Sequence, residues 1–344
     1  MIDRKEFIDT LKKVTPGLEV RQGTAEQMTH FDFTGKIVQT FNEEIYVQTP
    51  LETTFKGSVK GAMLIQVLEK ITDENIALAR KKNELVIRAR NTKAGFAVFT
   101  ENELADKFEM INQIISKLKW KRLPPDFMTA LKMCYFIASN QETEEGHACF
   151  QVGRDHICTI DREGIRMGLY EFEKPFTKNP FFFRASVFKS IANFAPVGFS
   201  LTENYVFFKT TDKVVFAVLR RFFEPIDRRE IFEQFKNVII RLPDSIKDDI
   251  VIADSVLTDE EKAEREIEMT AGENKLVYKA MTQTGWIERT AKIKYAKAAK
   301  KFSLNPVLLA EALSKSDFEN KLWMGKTGVM IKSGNFKYAV GYVE

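Results

Sequence analysis

The sequence predicts an α+β protein that contains three similar domains in tandem. One observation is a recurring unit, a Phe-containing strand followed by a short amphipathic helix, at residues 55–71, 181–194 and 302–313. A second is that short strand-like runs follow each of these helices. The anchoring residues Phe55, Phe183 and Phe302 are too far apart for a solenoid, whose period is roughly 20–50 residues. The repeat is therefore a whole domain, with helices on one face of antiparallel sheets.

Each domain is predicted to begin with another helix. In the first domain Asp3 stands three residues before Glu6, which is the spacing of a capping box, and Pro16 ends the helix. We expect its buried stripe to be Phe7, Ile8, Leu11 and Val14. The equivalent helices follow Pro125 and Pro243, and their inward residues are Phe127, Leu131, Cys134 and Ala138, and Ile246, Ile250 and Ala253.

The second half of each domain is predicted to be strand-rich. The strand-like runs are 76–80, 84–89 and 95–99 in the first domain, 198–201, 205–209 and 214–218 in the second, and 328–332 and 336–340 in the third. The predicted domains are 1–119, 120–234 and 235–344. Each is of ordinary domain size.

The composition is that of an ordinary globular protein. Hydrophobic residues make up 44% of the chain, and 52 basic residues nearly balance 48 acidic ones. A nucleic-acid-binding role would therefore require that the charges be segregated by face. With three cysteines and no signal peptide or membrane-spanning stretch, we expect a cytoplasmic protein without disulfides and with no membrane association.

Few motifs indicate chemistry. If residues 153–154 form a two-residue turn, Cys149 faces Cys158, and His147 and His156 lie on the same face. Such a set could hold zinc, although small apolar packing is the favoured interpretation of these cysteines. Neighbouring carboxylates such as Asp248 and Asp249 are expected to be solvated. Because no catalytic motif or glycine-rich cradle is present, we expect no enzymatic activity, no cofactor and no metal.

Two local segments, together with the tandem of three domains, resemble the bacterial sliding clamp, the beta subunit of DNA polymerase III. The run Gly164-Ile165-Arg166-Met167 is similar to a turn of the family's second domain. The run Pro225-Ile226-Asp227-Arg228-Arg229 resembles the family's linker between its second and third domains. Ile165 replaces a usual His, and the last residues differ from the family's usual ending, so the resemblance is to a divergent member of the family. Such a member would work in the bacterial cytoplasm or, if it is viral, in the host cytoplasm.

The resemblance implies a ring that surrounds double-stranded DNA and tethers the replicative polymerase. Six domains close the ring, so two chains of three domains would form a head-to-tail homodimer, opened by a clamp loader. The implied dimer contact joins Phe96 and Val98 to Val256 and Leu257. Sequence-independent phosphate contacts would come from cationic residues on or near the helices, which are Lys5, Lys12, Arg21, Lys60, Lys70, Lys132 and Lys189.

Partners of this family insert a short apolar peptide into a pocket between the second and third domains. The positions that match by motif are Gly164, Ile165, Arg166, Met167, Pro225, Arg229, Pro306, Val340, Tyr342 and Val343. Two alternatives stay open at this stage. One is a zinc-dependent nucleic-acid-processing enzyme that uses His147, Cys149, His156 and Cys158, and the other is a non-catalytic β-rich structural assembly protein.

Overall fold

The computed structural model describes residues 1–19, 26–99, 103–138, 146–161, 164–225, 229–236, 238–258, 264–315, 319 and 321–343. Within them the α-helices are α1 Arg4–Val14, α2 Gly61–Lys70, α3 Ala105–Ile115, α4 Phe127–Tyr135, α5 Phe188–Ile191, α6 Arg229–Glu233, α7 Ile246–Asp254 and α8 Pro306–Lys315. Short 3₁₀ helices cover Thr15–Gly17, Glu26–Thr29, Ala185–Val187 and Gln234–Lys236. No helix in the described ranges has both the length and the apolar composition that a membrane crossing requires.

The strands alternate with these helices along the chain. The first twelve are β1 Ile2–Asp3, β2 His30–Phe33, β3 Ile37–Phe41, β4 Ile45–Pro50, β5 Gly57–Lys60, β6 Asn75–Lys81, β7 Glu84–Arg88, β8 Lys93–Ala97, β9 Lys121–Arg122, β10 Cys149–Val152, β11 His156–Ile160 and β12 Arg166–Glu171. The others are β13 Phe181–Arg184, β14 Pro196–Leu201, β15 Tyr205–Thr210, β16 Val215–Arg221, β17 Val238–Arg241, β18 Ile267–Gly272, β19 Lys275–Met281, β20 Trp286–Lys292, β21 Lys300–Leu304, β22 Lys321–Met324, β23 Gly328–Ser333 and β24 Phe336–Gly341.

The chain divides into two compact units, and the middle of the sequence contributes to both. The first unit contains Met1–Met128 and Ser186–Arg221. Its larger sheet has the strand order β9-β14-β15-β16-β4-β3-β2-β5, and its smaller sheet has the order β1-β6-β7-β8. Strand β16 pairs antiparallel with β4, with Val215 opposite Gln48 and Val218 opposite Ile45. One continuous sheet therefore joins strands that are about 170 residues apart in sequence.

The start of the first unit confirms the predicted helix. The Asp3 side chain accepts a hydrogen bond from the Glu6 backbone N–H at 2.8 Å, which satisfies a donor that the first helical turn leaves unpaired. The buried residues of α1 are Phe7, Ile8, Leu11 and Val14, as the periodicity predicted.

Helix α3 was not predicted. Phe108 and Ile111 are its buried residues, and they pack against Tyr46 of β4 and against Phe207 and Ala217 of β15 and β16. The helix thus covers the place where β4 meets β16. Its apolar face supplies the burial that stabilises this junction.

The second unit contains Thr129–Ala185 and Phe222–Glu344 and repeats this plan. Its larger sheet has the order β17-β22-β23-β24-β12-β11-β10-β13, and its smaller sheet has the order β20-β19-β18-β21. Strand β12 pairs antiparallel with β24, with Met167 opposite Ala339. A short helical segment again covers the junction, because Phe232 and Phe235 pack into a buried cluster with Met167, Trp323 and Ala339.

The predicted α+β class with antiparallel sheets is confirmed, with two differences in detail. The middle copy of the repeated helix is shorter than expected, because only Phe188–Ile191 is α-helical and Ala185–Val187 is a 3₁₀ turn. The hairpin of β10 and β11 also has a different register. The three domain boundaries stay a prediction.

Candidate partner-binding, DNA-binding and assembly surfaces

The predicted peptide pocket centres on the junction of β12 and β24 in the second unit. Arg166 lies opposite Val340 in the ladder, and the Gly341 N–H donates to the Ile165 carbonyl at 2.8 Å. Gly164, just before β12, has a φ of +72°, which a glycine adopts without the steric cost that other residues bear. The structure therefore brings the 164–167 run and the end of the chain into direct contact.

Arg166 is held by two carboxylates. Its Nε donates to Asp161 at 3.1 Å and its Nη1 donates to Glu311 of α8 at 3.3 Å. The Asp161 side chain also accepts from the Arg166 backbone N–H at 3.0 Å. Neither carboxylate was predicted, since nothing in the spacing of the sequence links position 166 to 161 or 311. The guanidinium is thus fixed in place by these contacts.

Only part of the predicted pocket is exposed. Ile165 has 40% of its surface exposed, whereas Met167 and Val340 are 5% and 2% exposed and belong to the core. Pro306, the first residue of α8, is buried as well. The expectation that Met167 and Val340 offer their side chains to a visiting peptide is therefore corrected for this structure. Each is covered by its own unit.

The end of the chain is tied down rather than free. Val340 belongs to β24, which lies between β12 and β23 in the sheet. Beyond it, the Tyr342 N–H donates to Thr327 O at 3.0 Å and the Val343 N–H donates to Ser303 O at 3.1 Å. The Tyr342 hydroxyl donates to Gly325 O at 3.3 Å, and burial raises the pKa of Tyr342 to about 12.

Arg229 and Pro225 lie apart from this contact. Arg229 forms an ion pair of 3.2 Å with Asp155, in the turn between β10 and β11. That turn is at the opposite end of β11 from Ile160, the residue that faces Met167. Arg229 is therefore joined to the hairpin rather than to Arg166, and Pro225 is exposed.

The predicted DNA-contacting lysines are on the surface. All six are exposed, namely Lys5, Lys12, Lys60, Lys70, Lys132 and Lys189. The seventh predicted cation, Arg21, lies outside the described residues. Lys12 is engaged, since its Nζ lies 2.6 Å from Glu69 of α2. The hydrogen bond to Glu69 raises the pKa of Lys12.

Helix α7 contains two neighbouring carboxylates, one of which is buried, against the expectation from the sequence. Asp248 is exposed as expected, but Asp249 is only 2% exposed, so its predicted solvation is wrong. Its carboxylate lies 2.8 Å from Arg289 Nη2 of β20 and accepts from the Ser245 hydroxyl at 2.7 Å. This ion pair ties α7 to the outer strand of the smaller sheet.

The predicted dimer contact falls on residues with different exposure. Phe96, Val98 and Leu257 are 4%, 5% and 2% exposed in the single chain, so they pack inside their own units. Val256 is half-buried. In the described part of the chain, β8 and β20 each end a smaller sheet and are paired on one side only, which leaves a row of backbone groups on each outer edge.

The register of β10 and β11 excludes the proposed zinc geometry. Gln151, not Cys149, lies opposite Cys158 in the ladder, and Cys149 lies opposite Arg184 of β13. The turn is one residue farther along than predicted, at 154–155, because the Gly153 N–H donates to the His156 carbonyl. In the described ranges, no group of three or more His, Cys, Asp or Glu residues could hold a metal ion. The three cysteines are buried thiols that form no disulfide.

The fold is that of solved sliding clamps. The beta chain of DNA polymerase III from Streptococcus pneumoniae superposes with a TM-score of 0.82 at 12% identity, over 99% of this chain and 98% of that one. A putative DNA polymerase III beta subunit from Eubacterium rectale gives 0.80 at 13%, over 99% and 98%. The sliding clamp from Bartonella birtlesii bound to griselimycin gives 0.79 at 14%, over 100% and 98%.

Sequence comparison gives no match. No family model matches the chain, and no curated protein matches it. At identities of 12–14% the structural likeness shows the fold. The resemblance expected from residues 164–167 and 225–229 is thereby confirmed at the level of the fold, over the full length of the chain.

Proposed function

We propose that this chain is a DNA sliding clamp, a non-catalytic processivity factor that encircles duplex DNA and tethers a polymerase. The observation that carries the proposal is the fold match to DNA polymerase III beta subunits over 99–100% of the chain. A clamp works by topology and needs no catalytic residue. Its place of action would be the cytoplasm, where the DNA is replicated.

The assembly proposed is a head-to-tail homodimer. Strand β8 of one chain would extend the sheet that ends in β20 of its partner, a contact that joins different surfaces and closes by rotation. Among the four predicted interface residues, Val256 is half-buried, so its side chain has surface available to contact the partner chain. Phe96, Val98 and Leu257 would support the interface from beneath, since each is buried in its own unit.

The DNA contacts proposed are few and weak. Exposed Lys5, Lys60 and Lys70 lie on or next to α1 and α2, and Lys189 lies on α5. Contacts of lysine with phosphate carry no sequence information, so the ring can slide. Because α7 exposes Asp248, Val251 and Ile252, its part of the lining would not attract phosphate.

The peptide site proposed is the surface beside the β12–β24 junction. Ile165 offers an exposed apolar side chain next to Gly341. A short apolar segment of a polymerase or of a clamp loader could pack there while the junction keeps its own core. We expect a single dominant apolar anchor, as short peptide interfaces generally have.

The proposed assembly is tested by measuring the mass in solution and imaging the particle in projection. We expect twice the chain mass of 39.6 kDa and a ring with a central hole. Val256→Glu should shift the particle to the monomer, whereas Val251→Glu, which alters an exposed valine of α7, should leave the dimer intact. A wild-type protein that stays monomeric at micromolar concentration, without rings, would refute the assembly.

A further inference from the structure

An apolar cavity of about 410 Å³ lies within the first unit and contains none of the residues assigned above to the peptide, DNA or dimer contacts. It is formed by the start of α4, the segment that leads into it from β9, and the chain between α5 and β14. Its lining residues are Arg122, Leu123, Pro124, Pro125, Phe127, Met128, Phe194, Ala195, Pro196 and Val197. Nine of these ten are apolar or proline, and the volume is in the range of ligand pockets.

The inner wall of this cavity is packed against the core of the first unit. The ring of Phe127 packs on Phe208, with 5.8 Å between ring centroids, and Phe194 stacks on Phe216 at 4.7 Å. The Leu123 N–H donates to the Val197 carbonyl at 3.1 Å, which joins the two sides. Leu123 and Phe127 are buried, and the other lining residues are half-buried or exposed. Only Val197, 42% exposed, presents a large apolar surface at its mouth.

A basic strip borders the cavity. Lys117, Lys119, Lys121 and Arg122 are all exposed, and the segment 117–125 contains no acidic residue. Lys209 of the neighbouring β15 adds to the strip, with its Nζ 5.0 Å from the centroid of the Trp120 ring. Like charges crowded in this way attract an anionic partner.

The bordering strand also has an open edge. Strand β9 ends the larger sheet of the first unit and pairs only with β14 among the described strands. An extended peptide can add to such an edge through backbone hydrogen bonds, while a neighbouring pocket takes one of its side chains. The cations at 117–122, the open edge of β9 and the cavity lining at 122–128 follow one another in sequence, and Arg122 belongs to all three.

We propose that this cavity and the basic strip form a second docking site, for an acidic peptide segment of a partner protein that carries one aliphatic or aromatic anchor. The anchor would fill the cavity behind Val197, and carboxylates on either side of it would pair with Arg122, Lys121 and Lys119. Nucleic acid would match the charge, but its sugar and phosphate groups would leave the apolar cavity unfilled. The site goes beyond the proposed clamp function and does not require ring closure.

The test uses the full chain and a fluorescein-labelled peptide of sequence Glu-Asp-Leu-Phe-Glu-Asp, followed by anisotropy. We expect Val197→Asp and Arg122→Glu each to weaken binding by about tenfold or more. The matched variants Val251→Asp and Lys36→Glu change exposed residues elsewhere and should stay within about twofold, in line with ordinary surface substitutions. A peptide with Ala-Ala in place of Leu-Phe should bind the unchanged chain as weakly as the original peptide binds Val197→Asp.

Three results would overturn the proposal. These are an absence of measurable binding to the acidic peptide, equal binding by all four variants, and binding of oligothymidylate that depends on Arg122 while the peptide does not bind. Melting temperatures of the variants verify that they are folded. Retention on circular DNA separates this site from the clamp function. If Val197→Asp loses peptide binding but is retained normally on the circle, the change has affected the docking site alone.

Discussion

At the scale of single residues, the ion pair between Asp249 and Arg289 joins helix α7 to strand β20. The pair Asp248-Asp249 looked like a solvated charge run. Yet the spacing of Ile246, Asp249, Ile250 and Ala253 places all four on one helical face, and that face is buried. The expected solvation of Asp249 was therefore wrong, and its partner Arg289 lies 40 residues away on a strand, where no local pattern could reveal it.

Asp249→Asn should destabilise the second unit. The change keeps the shape but removes the charge that faces Arg289. Since the Arg289 side chain is 42% exposed, water screens part of the loss, and we expect a decrease of about 1–3 kcal/mol in the free energy of unfolding. Urea unfolding measures it. Asp248→Asn, at an exposed position, is the control, and an equal effect of both changes would show that the ion pair contributes little.

Ile165→Glu should weaken binding of a polymerase-derived peptide by about thirtyfold without unfolding the chain. Ile165 is 40% exposed, so the charge stays in water, while an apolar anchor loses its contact at a cost of roughly 2 kcal/mol. Ile239→Glu, at a position 47% exposed in the same unit, should bind normally. Isothermal titration of each variant checks this. A full affinity for Ile165→Glu would move the peptide site elsewhere.

The buried tyrosines lead us to expect a loss of stability at alkaline pH. Burial raises the pKa of Tyr46, Tyr278, Tyr338 and Tyr342, so the folded chain favours their protonated form. A raised pKa adds stability that is complete below the unfolded value of about 10 and disappears as the pH rises through the folded value. For Tyr342 this window runs from about 10 to about 12. Absorbance at 295 nm should show these rings titrating late, together with loss of circular dichroism; early titration in the folded state would contradict their burial.

At the scale of elements, the repeated helices and strands followed from periodicity and the linking helices did not. Strand runs at 76–80 and 84–89 became β6 and β7, because alternation and turn residues determine such hairpins locally. Helix α3 was missed because its buried residues Phe108 and Ile111 form a narrow stripe, and no element was assigned between the strand-like run 95–99 and the predicted domain boundary after residue 119. The helix is buried because β4 and β16 pair beneath it. This pairing joins distant parts of the chain, so local sequence does not predict it.

Phe108→Ala should show how much α3 contributes to the junction of β4 and β16. Phe108 is 4% exposed and contacts the cluster around Tyr46 and Phe207, so its removal should cost about 3–5 kcal/mol. Met110 lies on the same helix and is 42% exposed, so Met110→Ala should change stability by less than about 0.5 kcal/mol. Chemical unfolding followed by fluorescence compares them. Similar midpoints for the two variants would mean that the linking helix does not hold the junction.

At the scale of the whole molecule, the sequence predicted the threefold repeat and the resemblance to sliding clamps, and the structure confirms the fold. The candidate site was only partly predictable. The 164–167 run and the chain end do meet, since both belong to paired strands. That Met167 and Val340 are buried, and that Asp161 and Glu311 hold Arg166, depends on packing across the junction, which residue type alone does not encode.

The most direct test of the proposed clamp is retention on DNA of different topology. The protein is loaded onto a nicked circular duplex with its loader, freed from unbound chain by gel filtration, and the circle is then cut once. Because the lysine contacts are weak and depend on salt, we expect lasting retention on the circle at moderate salt and rapid loss after the cut. Equal retention on circular and linear DNA, or strong preference for a particular sequence, would contradict a ring that encircles DNA.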